Sequence, residues 1–181
     1  LVLSELFVSG YPPEDLIMKR SFLDACRGAV EDLAAATKEG GPAILVGAPW
    51  PDGTKVFNAI ILLCDGAVAG LRAKVKLPNY GVFDEPRVFT PGPLPIPFRF
   101  RGMKIGVPIC EDLWDPAIPK ALMDAGADIL IVPNASPYWR GKPGERHEVA
   151  RERVKETGLP ILYVNQVGGQ DELVFDGASF V

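Results

Sequence analysis

The chain has 181 residues, of which 48% are hydrophobic and 23% are charged, a composition typical of one ordinary globular domain with a sizeable core. Its three cysteines cannot all pair with one another, which excludes a disulfide scaffold and favours a reducing, cytoplasmic setting. The formal net charge of −4, without any basic block, argues against nucleic acid or an anionic membrane as a partner, and no apolar run reaches the roughly 18–20 residues that cross a bilayer.

The beginning of the chain predicts a short strand followed by a helix. Residues 1–3 are apolar and are predicted to form a short buried strand. Ser21, with Asp24 three residues later, has the form of a capping box that starts a helix. Apolar residues then recur at helical spacing, and Gly40 with Gly41 predicts the end of this helix.

The next segments predict a strand, a β-hairpin and a long loop. Residues 43–47 form an apolar run typical of a buried strand. Residues 56–64 and 67–73 are two further apolar runs, and the Asp-Gly pair between them is a strong short-range signal of a hairpin turn. Residues 76–97 are rich in proline and glycine, and a loop of this length inside a domain is typically functional.

The second half of the chain predicts alternating strands and helices. Residues 103–109 are predicted to be a strand that ends at Cys110, and a helix is predicted to start at Asp115 and Pro116. The remaining predicted elements are a charged helix over residues 145–157 and strands over residues 128–132, 161–167 and 173–181. A hairpin combined with this alternation predicts an α/β layered domain with a mixed sheet.

Cys110 is the first candidate for chemistry, because it closes an apolar strand just before a helix. Such a turn exposes a nucleophile, and its free backbone N–H groups could hold an oxyanion. The alternative is a small buried hydrophobic residue at a strand end. A thiol also needs a base, and the only histidine, His147, lies in a heavily charged helix, so a Cys110–His147 dyad has little support.

Metal and phosphate signatures are absent from the sequence. One histidine and three dispersed cysteines give neither a C-x-x-C pair nor an H-E-x-x-H motif, and no Gly-rich phosphate loop occurs. Glu5 and Lys74 are the other candidates, because each follows an apolar strand. A carboxylate in such surroundings has either a raised pKa or a cationic partner. The alternative is a solvated strand end, which for a lone lysine at the position of Lys74 is the usual case.

Three segments together resemble the nitrilase (carbon–nitrogen hydrolase) superfamily, whose members use a Glu–Lys–Cys triad. They are SELFVSGYPPEDL with Glu5, AKVKLPNYGVFDE with Lys74, and GVPICEDLW with Cys110. The strings GYPPEDL, LPNYGVFDE, ICEDLW and NASPY are more specific and resemble the glutaminase domain of glutamine-dependent NAD synthetases. The resemblance runs along essentially the whole chain. It implies the nitrilase-type four-layer α-β-β-α sandwich, usually a homo-oligomer, with residues 1–181 forming a part of that domain truncated at both ends.

The resemblance also implies catalytic roles. Cys110 would be the nucleophile that attacks the side-chain amide of L-glutamine, and Glu5 would be the general base. Lys74, together with the backbone N–H of Glu111, would stabilise the tetrahedral oxyanion. Glu85 matches a second glutamate of the family that helps to position the thiol and the lysine.

The family's glutamine-binding positions correspond to Tyr80, Ser136 and Lys142. The ammonium of Lys142 could pair with a substrate carboxylate, although an exposed loop lysine is the alternative. One departure from the family is Ser4, which stands where a proline usually precedes the catalytic glutamate.

A second departure is Lys76, which stands where many nitrilases have histidine and therefore competes with Lys74 for the catalytic role. The motif K-x-x-L-P favours Lys74.

The function implied by the resemblance is the release of ammonia from glutamine for NAD synthesis. ATP and Mg²⁺ are expected only for a synthetase domain that these residues do not include, and no cofactor is expected in this chain. The alternatives are a stand-alone amidase acting on another small amide and a non-catalytic assembly module. A Cys110–His147 thiol protease is the least favoured.

Overall fold

A computed structural model describes all 181 residues, and its first half forms an antiparallel sheet with a helix beside it. The elements in chain order are α1 (Arg20–Ala36), β1 (Ile44–Asp52), β2 (Lys55–Cys64) and β3 (Ala67–Ala73), and the strands pair in the order β1-β2-β3. The predicted hairpin between β2 and β3 is confirmed. Asp65 and Gly66 connect these strands with φ angles of 53° and 83°, the left-handed conformation that a tight type I′ turn requires.

The second half forms a mixed sheet in the order β4-β5-β6-β7. Its elements are β4 (Phe98–Phe100), β5 (Met103–Gly106), α2 (Ala117–Asp124), β6 (Ile129–Asn134), α3 (Lys142–Thr157) and β7 (Ile161–Asn165). The pairs β5–β6 and β6–β7 are parallel, with α2 and α3 as their crossover helices, whereas β4 and β5 are antiparallel. A separate antiparallel pair, β8 (Val167–Gln170) and β9 (Leu173–Asp176), follows.

Buried clusters show how these layers stack. Val30 of α1 and Val46 of β1 belong to one cluster, on the outer side of the first sheet. Ile60 of β2 shares a second cluster with Ile131 of β6, because alternate residues of a strand face opposite sides of its sheet. Leu122 of α2 lies in a third cluster, on the outer side of the second sheet. The resulting order is helix, sheet, sheet, helix, and the predicted α-β-β-α sandwich is confirmed.

The N-terminal segment runs beside β1 but forms only one bridge to it. Val2 pairs in parallel with Leu45, and the backbone N–H of Leu3 donates to Leu45 O at 2.8 Å. The predicted strand over residues 1–3 is therefore wrong as a full strand, because the chain bends away at Glu5 before a longer ladder can form.

Several boundaries differ from those predicted. The strand predicted over residues 161–167 is divided into β7, which ends at Asn165, and β8, which begins at Val167. Helix α1 begins at Arg20, and Asp24 pairs with Arg20 at 3.3 Å, so the capping box at Ser21 is wrong. Strand β5 ends at Gly106, because the chain leaves the ladder to reach the turn that contains Cys110. The C-terminal strand is also shorter than predicted: β9 ends at Asp176, beyond which Phe180 makes a single bridge to Tyr163. None of the helices is long and apolar enough to cross a membrane.

Candidate active site

Glu5 is fully buried at the bend that follows the N-terminal segment. The segment comes this close to β1 because Gly47 has no side chain: a Cβ there would lie 2.3 Å from both Leu6 N and Ser4 O. On the other side, Glu5 Oε2 accepts a hydrogen bond of 3.0 Å from the backbone N–H of Ala135, directly after β6. The Glu5 carboxylate is therefore held between the first sheet and the second.

Lys74 directly follows β3 and joins two carboxylates. Its Nζ lies 2.6 Å from Glu5 Oε1 and 2.7 Å from Glu85 Oε1, and its side chain is 1% exposed. The backbone N–H of Lys74 donates to Asn58 O at 2.8 Å, which holds the end of β3 against β2. Glu85 comes from the long loop, at the start of a 3₁₀ turn over Glu85–Arg87.

Neutral donors complete this buried network. Asn58 Nδ2 donates to Glu5 Oε1 at 2.8 Å and to Glu85 Oε2 at 3.4 Å. The hydroxyl of Tyr11 donates to Glu85 Oε1 at 2.9 Å. Both carboxylates are thus fixed by charge-assisted and neutral hydrogen bonds together, the arrangement that a buried charge requires.

The cluster shifts the pKa values of its members. Burial alone would lower the pKa of Lys74, but the carboxylates of Glu5 and Glu85 outweigh burial and raise this pKa well above its usual value. Burial raises the pKa of Glu85 to about 7, with Lys74 opposing the shift and Glu5 adding to it. Lys74 therefore remains a cation, while Glu85 is the member that can take up a proton near neutral pH.

Cys110 opens a 3₁₀ turn, Cys110–Leu113, between β5 and α2. Its φ of 47° is left-handed, a conformation that non-glycine residues rarely adopt and that often marks a functional turn. The residue is 7% exposed. Burial, and then the charge of Glu5, raise the pKa of the thiol well above its usual value, although Lys74 opposes them. The resting group is therefore a neutral thiol, which needs a base to react.

Two of the predicted substrate-binding residues lie beside the Cys110 turn. The hydroxyl of Tyr80 donates to Glu111 Oε2 at 2.9 Å, and the Tyr80 side chain is otherwise half exposed. The Lys142 ammonium lies 4.1 Å from the ring centre of Trp114 and 3.9 Å from that of Trp139. Burial lowers the pKa of Lys142, so the two indole rings hold a cation that has lost much of its water.

Ser136, the third predicted substrate-binding residue, is buried and already engaged. Its hydroxyl accepts a hydrogen bond of 3.1 Å from Arg146 Nε, and its backbone N–H donates to Asn165 Oδ1 at 2.9 Å. Arg146 is itself fully buried and forms an ion pair of 2.7 Å with Asp176. The position of Ser136 is therefore set by α3, β7 and β9 together.

Lys76, the alternative to Lys74, and His147, the alternative base for Cys110, lie outside the buried cluster of Glu5, Lys74 and Glu85. Lys76 is exposed and pairs with Asp115 at 2.7 Å, so the structure brings Lys74 rather than Lys76 to the two glutamates. His147 stacks on Phe180, with 4.1 Å between the ring centres, and makes no hydrogen bond to the Glu5–Lys74 cluster.

Sequence reasoning missed several residues that build the site. They are Tyr11, Asn58, Asp112 and Arg146, all of them buried. Only Asn58 carried a visible signal, because it is a lone amide in the otherwise apolar core of β2. Asp112 belongs to an acidic segment just before a helix, a pattern that usually indicates a solvated helix start.

Comparison with known sequences links the whole chain to one family. A profile of the carbon–nitrogen hydrolase family matches residues 1–181. The glutamine-dependent NAD(+) synthetase of Rhodobacter capsulatus is 48% identical over 181 residues, which is 100% of this chain and 33% of that protein. The same enzyme of Thermotoga maritima is 42% identical over 183 residues, 100% of this chain and 32% of that protein. The chain thus spans about a third of the length of these curated relatives.

Solved structures show the same relationship as the sequence comparisons. The glutamine-dependent NAD+ synthetase of Acinetobacter baumannii, in complex with ADP, superposes with a TM-score of 0.91 at 39% identity, over 99% of this chain and 34% of that chain. A variant of the amidase of Nesterenkonia sp. AN1 superposes with a TM-score of 0.82 at 28% identity, over 99% of this chain and 67% of that chain. In that amidase structure, the acetamide moiety of fluoroacetamide is covalently added at the active-site cysteine.

Proposed function

The chain belongs to the carbon–nitrogen hydrolase family, and we propose that it hydrolyses the side-chain amide of L-glutamine and thereby supplies ammonia for NAD synthesis. The observation that carries this proposal is the buried contact of Lys74 with Glu5 and Glu85, whose charges act on the thiol of Cys110. The relatives named above, which carry glutamine-dependent NAD(+) synthesis in their names, match the full chain and support glutamine as the substrate.

We assign residues 1–181 to a glutaminase domain that works with a synthetase domain. Support comes from the length of the relatives, of which this chain matches about a third. ATP and Mg²⁺ would act in the synthetase domain, and no cofactor is assigned to residues 1–181.

The first half of the proposed reaction forms a thioester. Sγ of Cys110 attacks the amide carbon of glutamine while its proton passes to the carboxylate of Glu5, because the neutral thiol is too weak a nucleophile by itself. The carbonyl oxygen becomes an oxyanion, which Nζ of Lys74 and the backbone N–H of Glu111 stabilise. The C–N bond then breaks, and ammonia leaves with the proton that Glu5 returns.

The second half hydrolyses the thioester. Glu5 takes a proton from water, and the resulting hydroxide attacks the thioester carbon. The same donors hold the second oxyanion until the C–S bond breaks and the sulfur of Cys110 recovers its proton. The balance is glutamine plus water giving glutamate plus ammonia, with no net change in the protein. Glu85 contributes by fixing Lys74 and by balancing the charge of the cluster.

Three residues are proposed to recognise the substrate. The Lys142 ammonium, held between two indole rings, would pair with the α-carboxylate of glutamine. Tyr80, joined to Glu111, and Ser136, joined to Arg146, would contact the remaining polar groups.

A stand-alone amidase acting on another small amide is the second candidate. The similarity to the amidase of Nesterenkonia sp. AN1, with a TM-score of 0.82, favours it. The two candidates share the chemistry at Cys110 and differ in substrate.

Labelling with a glutamine-analogue diazoketone tests the proposal in the protein that carries this chain. Intact mass and peptide mapping should find one adduct on Cys110, and excess glutamine should prevent it. Labelling that glutamine does not prevent would favour the amidase, and the absence of any adduct on Cys110 would overturn the glutaminase assignment.

A Cys110→Ala variant separates glutamine hydrolysis from the use of ammonia in NAD synthesis. Glutamine-dependent NAD synthesis should be lost while synthesis from free ammonia persists, because only the first uses the thiol. The His147→Ala variant is the matched control and should retain both activities. Equal loss of both activities in Cys110→Ala would contradict the role of Cys110 in glutamine hydrolysis.

A further inference from the structure

The carboxylate of Asp112 joins two segments of the candidate active site. Its Oδ2 accepts a hydrogen bond of 3.0 Å from the backbone N–H of Ile109, the residue before Cys110. Its Oδ1 accepts hydrogen bonds of 3.0 Å and 2.7 Å from the backbone N–H groups of Val75 and Lys76, directly after Lys74. A single side chain thus binds the segment that carries the thiol to the segment that carries the ammonium.

Burial makes this carboxylate costly to keep as an anion. Asp112 is 1% exposed and forms no ion pair, and its charge is balanced by three backbone N–H groups and, without direct contact, by the charge of Lys74. Burial raises its pKa to about 6, although these hydrogen bonds oppose the shift. A neutral apolar residue would avoid that cost but could not accept these hydrogen bonds. We therefore attribute the presence of a carboxylate here to the two backbone segments that it joins.

The turn held by Asp112 is the one that carries the left-handed Cys110, with its φ of 47°. The backbone N–H of Asp112 also donates to Ile109 O at 3.0 Å, so side chain and main chain close the same turn. A left-handed residue with a side chain persists only where its surroundings enforce it. Asp112 supplies that constraint from within the turn.

We propose that Asp112 is a positioning residue that locks the Cys110 turn to the end of β3 and so fixes the thiol relative to Lys74. The proposal rests on the proposed roles of Cys110 and Lys74. Asp112 makes no hydrogen bond to the side chains of Glu5, Lys74 or Cys110, and it acts through the backbone of Ile109, Val75 and Lys76.

The Asp112→Asn variant tests this role with little change in shape. An amide has only one acceptor oxygen. Its NH₂ group must therefore face either the N–H of Ile109 or the N–H groups of Val75 and Lys76, and those hydrogen bonds are lost. Asp128→Asn is the matched control, because Asp128 Oδ2 also accepts a backbone hydrogen bond, of 2.7 Å from Lys104 N–H. Asp128 lies on the surface just before β6. The kcat is measured per active site, with sites counted by diazoketone titration, so that unfolded molecules do not contribute.

We expect Asp112→Asn to lower kcat per titrated site by about 10–100-fold, the size of effect that misplacement by about 1 Å produces, with a smaller change in KM. The pH profile of Cys110 alkylation by iodoacetamide should also shift, whereas Asp128→Asn should match the unmodified protein in both measurements. An unchanged kcat per site together with an unchanged alkylation profile would overturn the proposal.

Amide hydrogen exchange in the unmodified protein gives a test that needs no variant. The N–H groups of Val75, Lys76 and Ile109 should exchange far more slowly than that of Gly81 in the neighbouring loop. Equal rates would overturn the proposal.

The alkylation test needs no substrate, and this separates the two proposals. If the unmodified protein did not hydrolyse glutamine, the proposed function would fail. A shifted alkylation profile in Asp112→Asn would still support the positioning role.

Discussion

Nζ of Lys74 lies 2.6 Å from Oε1 of Glu5, and solvent reaches at most 1% of either side chain. Taking both charges out of water is costly, and their attraction repays that cost only if the remaining hydrogen-bonding groups are satisfied. Glu85, Asn58 and Ala135 provide those bonds. The pair is therefore stable only as part of the complete network, and removing one member leaves a buried charge without compensation.

Replacing the cation should damage both stability and activity. Lys74→Met keeps the length of the side chain but leaves Glu5 and Glu85 without their common partner. We expect the free energy of unfolding to fall by about 3–5 kcal/mol, the usual cost of breaking a buried pair. Glutamine hydrolysis should fall by at least about 10²–10³-fold, because the proposed oxyanion donor is lost.

Chemical denaturation and glutamate release measure these two effects. The matched control is Lys76→Met, since Lys76 forms only an exposed pair with Asp115. An active, stable Lys74→Met variant, or a Lys76→Met variant with the same losses, would contradict the assignment.

The position of Glu5 depends on the missing side chain at Gly47. In Gly47→Ala the new Cβ would lie 2.3 Å from backbone atoms of Ser4 and Leu6 and 2.7 Å from the carbonyl carbon of Glu5. The segment must shift, so we expect a stability loss of about 1–3 kcal/mol, typical of overpacking, and a clear loss of activity. Thermal melting and glutamate release measure both effects.

The control for Gly47→Ala is Gly28→Ala. A Cβ at Gly28, in α1, meets nothing within 4 Å. Alanine there should stabilise the protein by about 0.4–1 kcal/mol without affecting activity. A tolerated Gly47→Ala would show that the Glu5 segment is not held by this close approach.

The raised pKa of Glu85 should be visible in the pH dependence of stability. Because this pKa is about 7 in the fold and 4.5 ordinarily, the folded state holds a proton that the unfolded chain releases between these values. The contribution to stability is thus greatest at low pH and is lost as the pH rises through this window. Glu85→Gln cannot titrate, so its Tm relative to the unmodified protein should rise between about pH 5 and about pH 8.

Melting curves of both proteins across this pH range check the prediction. Glu31→Gln, which makes the same substitution at an exposed ion pair on α1, is the control whose Tm difference is compared at each pH. A constant Tm difference for Glu85→Gln would contradict the raised pKa.

The role of Lys142 should appear in KM rather than in kcat. Lys142→Met would remove the proposed charge-assisted contact with the substrate carboxylate, worth roughly 1.5–3 kcal/mol, so KM for glutamine should rise about 10–100-fold. The kcat should change less, because this contact exists before and during the reaction. Steady-state kinetics of glutamate release measure both constants.

Lys155→Met is the matched control for Lys142→Met, because Lys155 is an exposed lysine on the same helix. It should leave KM unchanged. A normal KM in Lys142→Met would show that the substrate carboxylate binds elsewhere.

Local sequence patterns were sufficient to predict the main helices and strands of this protein. The Asp65-Gly66 turn, the apolar runs of β2 and β3, and the charged helix α3 are all encoded within short stretches. The motifs around Glu5, Lys74 and Cys110 were sufficient to identify the candidate triad, because each motif is contiguous in the chain. Such features depend on neighbouring residues, and they can therefore be predicted without knowledge of the tertiary structure.

Which side chains meet depends on how the layers pack and could not be predicted from local sequence. Lys74 and Lys76 are two residues apart, so strand alternation would place both on the same face and could not separate them. Packing of the two sheets buries the first and leaves the second exposed. Asn58 reaches Glu5 across 53 positions of sequence, and Asp112 reaches Lys76 across 36. Partners this distant are selected by how the layers stack, because burial without a partner is too costly for any of these polar groups.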